Sequence, residues 1–169
     1  MATCSSARRG ETGASFIELA LVLLPMMALT LAIVDFSMPI FLQSMFTSAV
    51  WEGCRSGITY TLTFNGTTYT SQTAEIKAVV QHLQNYAMGF LSGSNANLIK
   101  VKYFTPVSPF TQLTGTGANT PGNLLEVSVL GYSWNFIAPL WRSGNPLVLN
   151  AISADRLDAL ASGTMPPTP

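Results

Sequence analysis

The sequence predicts an α+β fold: one long N-terminal helix, a small antiparallel sheet and one further amphipathic helix. Three observations predict it. From Ala14 to Val34 the chain is apolar apart from Glu18, and about 21 helical residues rising 1.5 Å each span about 30 Å, the thickness of a bilayer core. Between Thr73 and Leu91, the residues Ile76, Val79, Val80, Leu83, Ala87 and Phe90 recur at the three-and-four spacing of a helix face. Further on, two segments alternate apolar and polar residues and a third, shorter apolar run follows them, with Pro- and Gly-rich stretches between, as strands require.

The 169 residues suffice for one spanning helix and a single modest domain. Charged residues make up 9 % of the chain, against about 25 % in soluble proteins. Apolar residues make up 48 % and the mean hydropathy is +0.34. The spanning run accounts for only part of this, because the remainder is also poor in charge and rich in Thr, Ser, Asn and Gly. Such a surface suits an exported protein that packs against other subunits. Eight basic and eight acidic residues balance to zero, which argues against nucleic-acid binding, since no basic surface tracks a phosphate backbone.

Residues 1–13 are short, basic and polar, a leader rather than a folded element. Arg8 and Arg9 hold this end in the cytoplasm, and no Lys or Arg appears again until Arg55, so the C-terminal part faces outward. A cleaved secretory signal fits poorly, because Val34–Asp35–Phe36–Ser37–Met38 offers no small-x-small site after the apolar core. Glu18 is the anomaly. An ionisable group in a spanning segment costs up to about 3 kcal/mol. Apolar character continues from Phe36 to Trp51, giving a rod about 55–60 Å long from Ala14 to Glu52. Pro25 and Pro39 are expected to kink or locally unwind it. Of the two cysteines, Cys4 lies in the leader, and no hydrophobic region precedes it to support a lipoprotein reading. Cys54 reads as a small packing side chain, with an intermolecular disulfide as the alternative.

The run Gly13–Ala14–Ser15–Phe16–Ile17–Glu18, preceded by Arg8 and Arg9, resembles the processing site of type IV pilin precursors. In that family a membrane peptidase cuts after the glycine, which here would leave Ala14 as the N-terminus and Glu18 as the fifth residue. Ala14 stands where type IV pilins usually carry phenylalanine. Beyond the span, Ala49–Val50–Trp51–Glu52–Gly53–Cys54–Arg55 resembles the A-x-x-E-G-x-R element of TadE-like proteins, minor pilins (pseudopilins) of the tight-adherence, or Flp, pilus system. Asp35–Phe36 matches that family's acidic and aromatic end to the apolar run. The resemblance covers about the first third of the chain closely. It implies a pilin-like packing of the outer half of the helix on the sheet. It also implies partners: a prepilin peptidase, the major Flp pilin, a sister pseudopilin and the inner-membrane assembly platform. Gly13 and Ala14 would flank the cut and Glu18 would serve assembly. Glu52, Gly53 and Arg55 would form the motif after the helix.

The domain plan is therefore a leader over 1–13, a long helix over 14–55, an outer α+β domain over 56–162 and a disordered tail over 163–169. Within the outer domain, alternation of Tyr60, Leu62 and Phe64 against threonines, then Asn65–Gly66, predicts a hairpin. The helix over Thr73–Leu91 takes Thr73 as cap, Glu75 in its favourable first turn and Gly93 beyond its end. His82 is assigned to its polar, solvated face. Strands are predicted over Leu98–Phe104, Leu124–Tyr132 and Leu147–Ser153, with an exposed Pro/Gly/Thr loop between the first two. Trp134, Phe136, Pro139 and Trp141 form an aromatic patch that covers the core or docks a partner.

No catalytic constellation is visible. After removal of the leader the chain offers one histidine and one cysteine, too few for a metal site, and no phosphate-binding or dinucleotide glycine pattern. No cofactor and no enzymatic activity are expected. Glu52 and Arg55 are spaced to pair as i, i+3 neighbours. The reading is a minor pilin held in the inner membrane, N-terminus inside and outer domain periplasmic. Its alternative is an uncleaved, single-pass adhesin or ligand-binding module.

Overall fold

The structure is a computed structural model that describes residues 11–60, 63–64, 67–68, 71–115, 117–136, 144 and 146–158. The leader up to residue 10, the tail over 163–169, Cys4, Pro139 and Trp141 lie outside the described residues. In chain order the elements are α1 (Glu11–Ile58), β1 (Thr63–Phe64), β2 (Thr67–Thr68), α2 (Gln72–Tyr86), a 3-10 turn over Gly93–Leu98, β3 (Ile99–Phe104), β4 (Gln112–Leu113), β5 (Leu124–Trp134) and β6 (Leu147–Arg156). The fold is α+β: one long apolar helix, a second helix and a four-stranded antiparallel sheet in the order β4-β3-β5-β6.

The outer part of α1 and all of α2 lie on one face of the sheet. That face carries Tyr103 of β3, Leu125, Val127 and Val129 of β5, and Leu149 and Ala151 of β6, all buried. Against it pack Leu42, Phe46, Ala49 and Val50 of α1 with Val79 and Leu83 of α2. The opposite face leaves Lys100 and Ile152 open to solvent. Between Val129 and Tyr132 a bulge shifts the β5–β6 register. Gly131 sits there with φ +82°, and its N–H donates to Asn150 Oδ1 at 2.7 Å, so the extra residue keeps a partner.

The hairpin reading holds: β1 pairs with β2, with Phe64 opposite Thr67. The three predicted strands all form, β5 and β6 each running a little further than expected. Other expectations are corrected. Pro25 and Pro39 do not unwind α1, which is assigned as one helix across its 48 residues, about 72 Å. One lost backbone bond does not break a helix whose later turns are pinned by packing, and Pro39 itself is buried in that contact. α2 is capped by Ser71, not Thr73: the Ser71 hydroxyl accepts from the Ala74 N–H at 3.2 Å. α2 ends at Tyr86 rather than Leu91, because Met88 and Gly89 turn into the left-handed region at φ +49° and +86°.

The expected face of α2 meets the core, with Val79, Leu83 and Ala87 buried and Ile76, Val80 and Phe90 packed against them, but it is wider than expected. Glu75, Ala78, Val79 and Leu83 are buried, Ile76 and Val80 are only partly so, and His82 is half-buried rather than solvated. The segment between β3 and β5 is not wholly exposed either. It contributes β4, which pairs Leu113 with Tyr103, and it buries Ala118 and Asn119 in the core. Of the aromatic patch, Trp134 packs against the core and the Phe136 ring lies 5.3 Å from that of Phe36 on α1, so both serve as cover for the domain.

Candidate functional site

The long helix divides sharply in two. From Gly13 to Val34 its residues are exposed or nearly so, and the most apolar stretch is 0 % buried. Phe16, Leu21, Leu24 and Ile33 all stand away from the rest of the chain. The first buried side chain is Asp35, followed by Pro39, Leu42, Phe46, Ala49, Val50, Gly53 and Gly57. Spaced mostly three or four apart, with Ala49 and Val50 adjacent, these residues draw one stripe along the helix, and that stripe meets α2, β5 and β6. A helix that is apolar all round and unpacked suits an apolar solvent, so the first half is long and apolar enough to cross a membrane and the second half is a core element.

Gly13, Ala14 and Glu18 all sit on the undocked half. Gly13 lies within the first turn of α1, and a side chain added there would meet open space. Glu18 is exposed and stands about 6 Å along the axis from Ala14. The structure brings none of these three near the motif residues. Glu52, Gly53 and Arg55 sit at the far end of α1, where it meets the outer domain.

Gly53 is buried, and a Cβ there would lie 3.4 Å from Leu83 Cβ and 3.7 Å from Val127 Cγ1. It lets α1 approach α2 and β5 together. Gly57, one turn on, was not singled out from sequence, yet it is the tighter position. A Cβ there would run into the Leu125 Cδ2 methyl and lie 3.1 Å from Val79 Cγ2. Leu125 and Val79 are both buried and have little room to retreat. Gly57→Ala is expected to destabilise the outer domain by about 1–3 kcal/mol through overpacking, despite Ala's better helix propensity. The urea midpoint of the detergent-solubilised chain measures it, and an unchanged or raised midpoint would contradict the close approach.

The expected Glu52–Arg55 ion pair does not form. The Arg55 guanidinium lies instead over the Trp51 ring, 5.9 Å from its centroid, a cation–π contact on an exposed surface. Cys54 is buried with its Sγ 3.8 Å from the Leu125 carbonyl. Burial pushes its thiol above the ordinary range, an effect that the Ser153 side chain partly opposes. A thiol so placed is a packing group rather than a reactive one.

Sequence reasoning missed a polar cluster at the start of α2. Glu75 is 2 % exposed. Its Oε2 accepts from Asn119 Nδ2 at 2.9 Å, and the Asn119 carbonyl accepts from the Tyr60 hydroxyl at 2.6 Å. Burial raises Tyr103, whose pKa the neighbouring Glu75 charge raises further. Thus one carboxylate, one amide and two phenols join the end of α1, the start of α2, β3 and the 117–122 turn. Among the described residues no group of His, Cys, Asp and Glu is arranged to hold a metal.

The geometry so far defines a class: a long apolar helix, able by length and composition to span a membrane, whose outer half is also a core helix of a small α+β domain. Residues 13–55 match the family model described as TadE-like protein, so this N-terminal segment is similar to that family. The match takes in the undocked half of α1 and the docked stripe as far as Arg55, and leaves α2 and the sheet outside it. No curated protein and no solved structure matches the chain.

Proposed function

We propose that this chain is a minor pilin, or pseudopilin, of a tight-adherence pilus, made as a precursor and cut by a prepilin peptidase between Gly13 and Ala14. In this reading it sits in the inner membrane with its N-terminus in the cytoplasm and its outer domain in the periplasm. It is a substrate of an enzyme rather than an enzyme. Its partners are the major Flp pilin, a sister pseudopilin and the assembly platform. One observation supports this most: Gly13, Ala14 and Glu18 stand together at the free end of a helix that nothing in the described chain covers. A peptidase needs that access. Glycine in a helical turn costs about 1 kcal/mol relative to alanine, so the first turn of α1 opens readily at the proposed cut. Cutting creates an amine at the membrane edge, and Glu18 offers it, or a neighbouring subunit's amine, an opposite charge.

Expressed with its peptidase, the chain should shorten by 13 residues, and N-terminal sequencing should begin at Ala14. Gly13→Ala should slow the conversion, since it adds a side chain at the cut and firms the helical turn. Mature protein still beginning at Met1, or beginning beyond residue 35, would overturn the reading.

A further inference from the structure

Glu75 places a carboxylate where an ionised carboxylate is costly. Its Oε1 is buried and has no hydrogen-bond partner among the described residues, and the same is true of the Tyr103 hydroxyl on β3. Its one close donor, Asn119 Nδ2, is neutral. The titratable groups around it are Tyr60 at the end of α1 and Tyr103 on β3, with Asp158, after β6, acting on Tyr60. Among the described residues no cation pairs with it. Lys77 of α2 is exposed, the Arg156 guanidinium is engaged by the Gly122 carbonyl at 2.9 Å, and His82 lies two turns further along α2, about 10 Å away along the axis. A desolvated carboxyl group served by neutral donors alone favours its uncharged form. Uncharged, it also gains an O–H of its own, and the Tyr103 hydroxyl oxygen is a free acceptor.

We propose that Glu75, Asn119, Tyr60 and Tyr103 form an acid-tightened latch, which holds the 117–122 turn and β3 to the two helices more firmly when Glu75 is protonated than when it is ionised. Burial raises the Glu75 carboxyl to about 6, and the hydrogen bond from Asn119 opposes the rise. A carboxyl group whose folded pKa lies above its ordinary value of 4.5 binds its proton more tightly in the folded state. Stability is therefore gained as pH falls through 6 towards 4.5, and lost as pH rises through the same window. This is opposite to the usual course of acid denaturation. The latch belongs to the outer domain alone and is independent of how the N-terminal helix is processed.

The test is urea unfolding of the full detergent-solubilised chain at pH 5 and pH 7.5. The unfolding equilibrium constant should be roughly tenfold larger at pH 7.5 than at pH 5, seen as a lower midpoint at the higher pH. Glu75→Gln keeps an acceptor for Asn119 and removes the charge. It should raise the midpoint at pH 7.5 and abolish the difference between the two pH values, which separates Glu75 from His82 as its source. Tyr103→Phe removes the acceptor offered to the protonated carboxyl and should shrink the difference between the two pH values without abolishing it. A wild-type chain more stable at pH 7.5, a Glu75→Gln chain that keeps the pH difference, or one that fails to fold would each overturn the latch.

Discussion

Phe46→Ala should lower the stability of the outer domain by about 3–5 kcal/mol, the range for removing a large aromatic side chain from a core. Phe46 is 0 % exposed and stands midway along the stripe by which α1 docks on the sheet. Its ring meets that of Tyr132 edge-on, with centroids 4.8 Å apart and planes at 65°, a geometry worth about 0.5–1.5 kcal/mol beyond its buried area. The neighbours on the same helix, Leu42, Ala49 and Val50, are fixed by α1 and cannot fold into the space left behind, so the cavity term applies in large part. Phe41 makes the internal comparison. It lies five residues earlier on another face and is half exposed, so Phe41→Ala should change stability by no more than about 0.5 kcal/mol. Urea midpoints of the two variants in detergent decide it. Equal losses would mean that the docked face of α1 is misassigned.

The docked stripe shows what the sequence could convey and what it could not. The apolar run was legible because about 20 residues with a single charge read as one long apolar helix, and β3 and β5 were legible because alternation survives in each. Gly13, Ala14 and Glu18 lie on the undocked half of α1, a placement that follows from their order along the chain. Glu75 was not. A glutamate in the first turn of a helix is favourable when exposed, so its sequence position suggested solvent. What buries it is the 117–122 turn, and the decisive partner, Asn119, is 44 residues away. The same turn hid within a stretch of Pro, Gly and Thr that reads as surface loop. Gly57 was missed for a related reason: a glycine near the end of a long helix looks like a stop signal, and only the packed Leu125 and Val79 reveal a close approach. The Glu52–Arg55 pairing failed because the spacing permits it while Trp51, on the same helix, offers the guanidinium a flat face instead.

Glu18→Ala should leave cleavage and membrane insertion largely intact yet abolish pilus production, or crosslinking to the partner pilins. Glu18 lies on the undocked half of α1, far from any contact that holds the outer domain, so the substitution should not unfold the protein. If the helix were only an anchor, removing a charge from its span would be neutral or would ease insertion, because an ionised carboxylate in apolar surroundings costs energy. If the helix must enter an assembly of subunits, the carboxylate is needed to meet an N-terminal amine there, and its loss leaves that amine unpaired. The two steps are scored separately, cleavage by a band shift and assembly by the pilin sheared from the cell surface. Normal piliation with Glu18→Ala would favour an anchored adhesin or ligand-binding module, with function in the outer domain. Lost piliation with normal cleavage and insertion would place the function in the free half of α1.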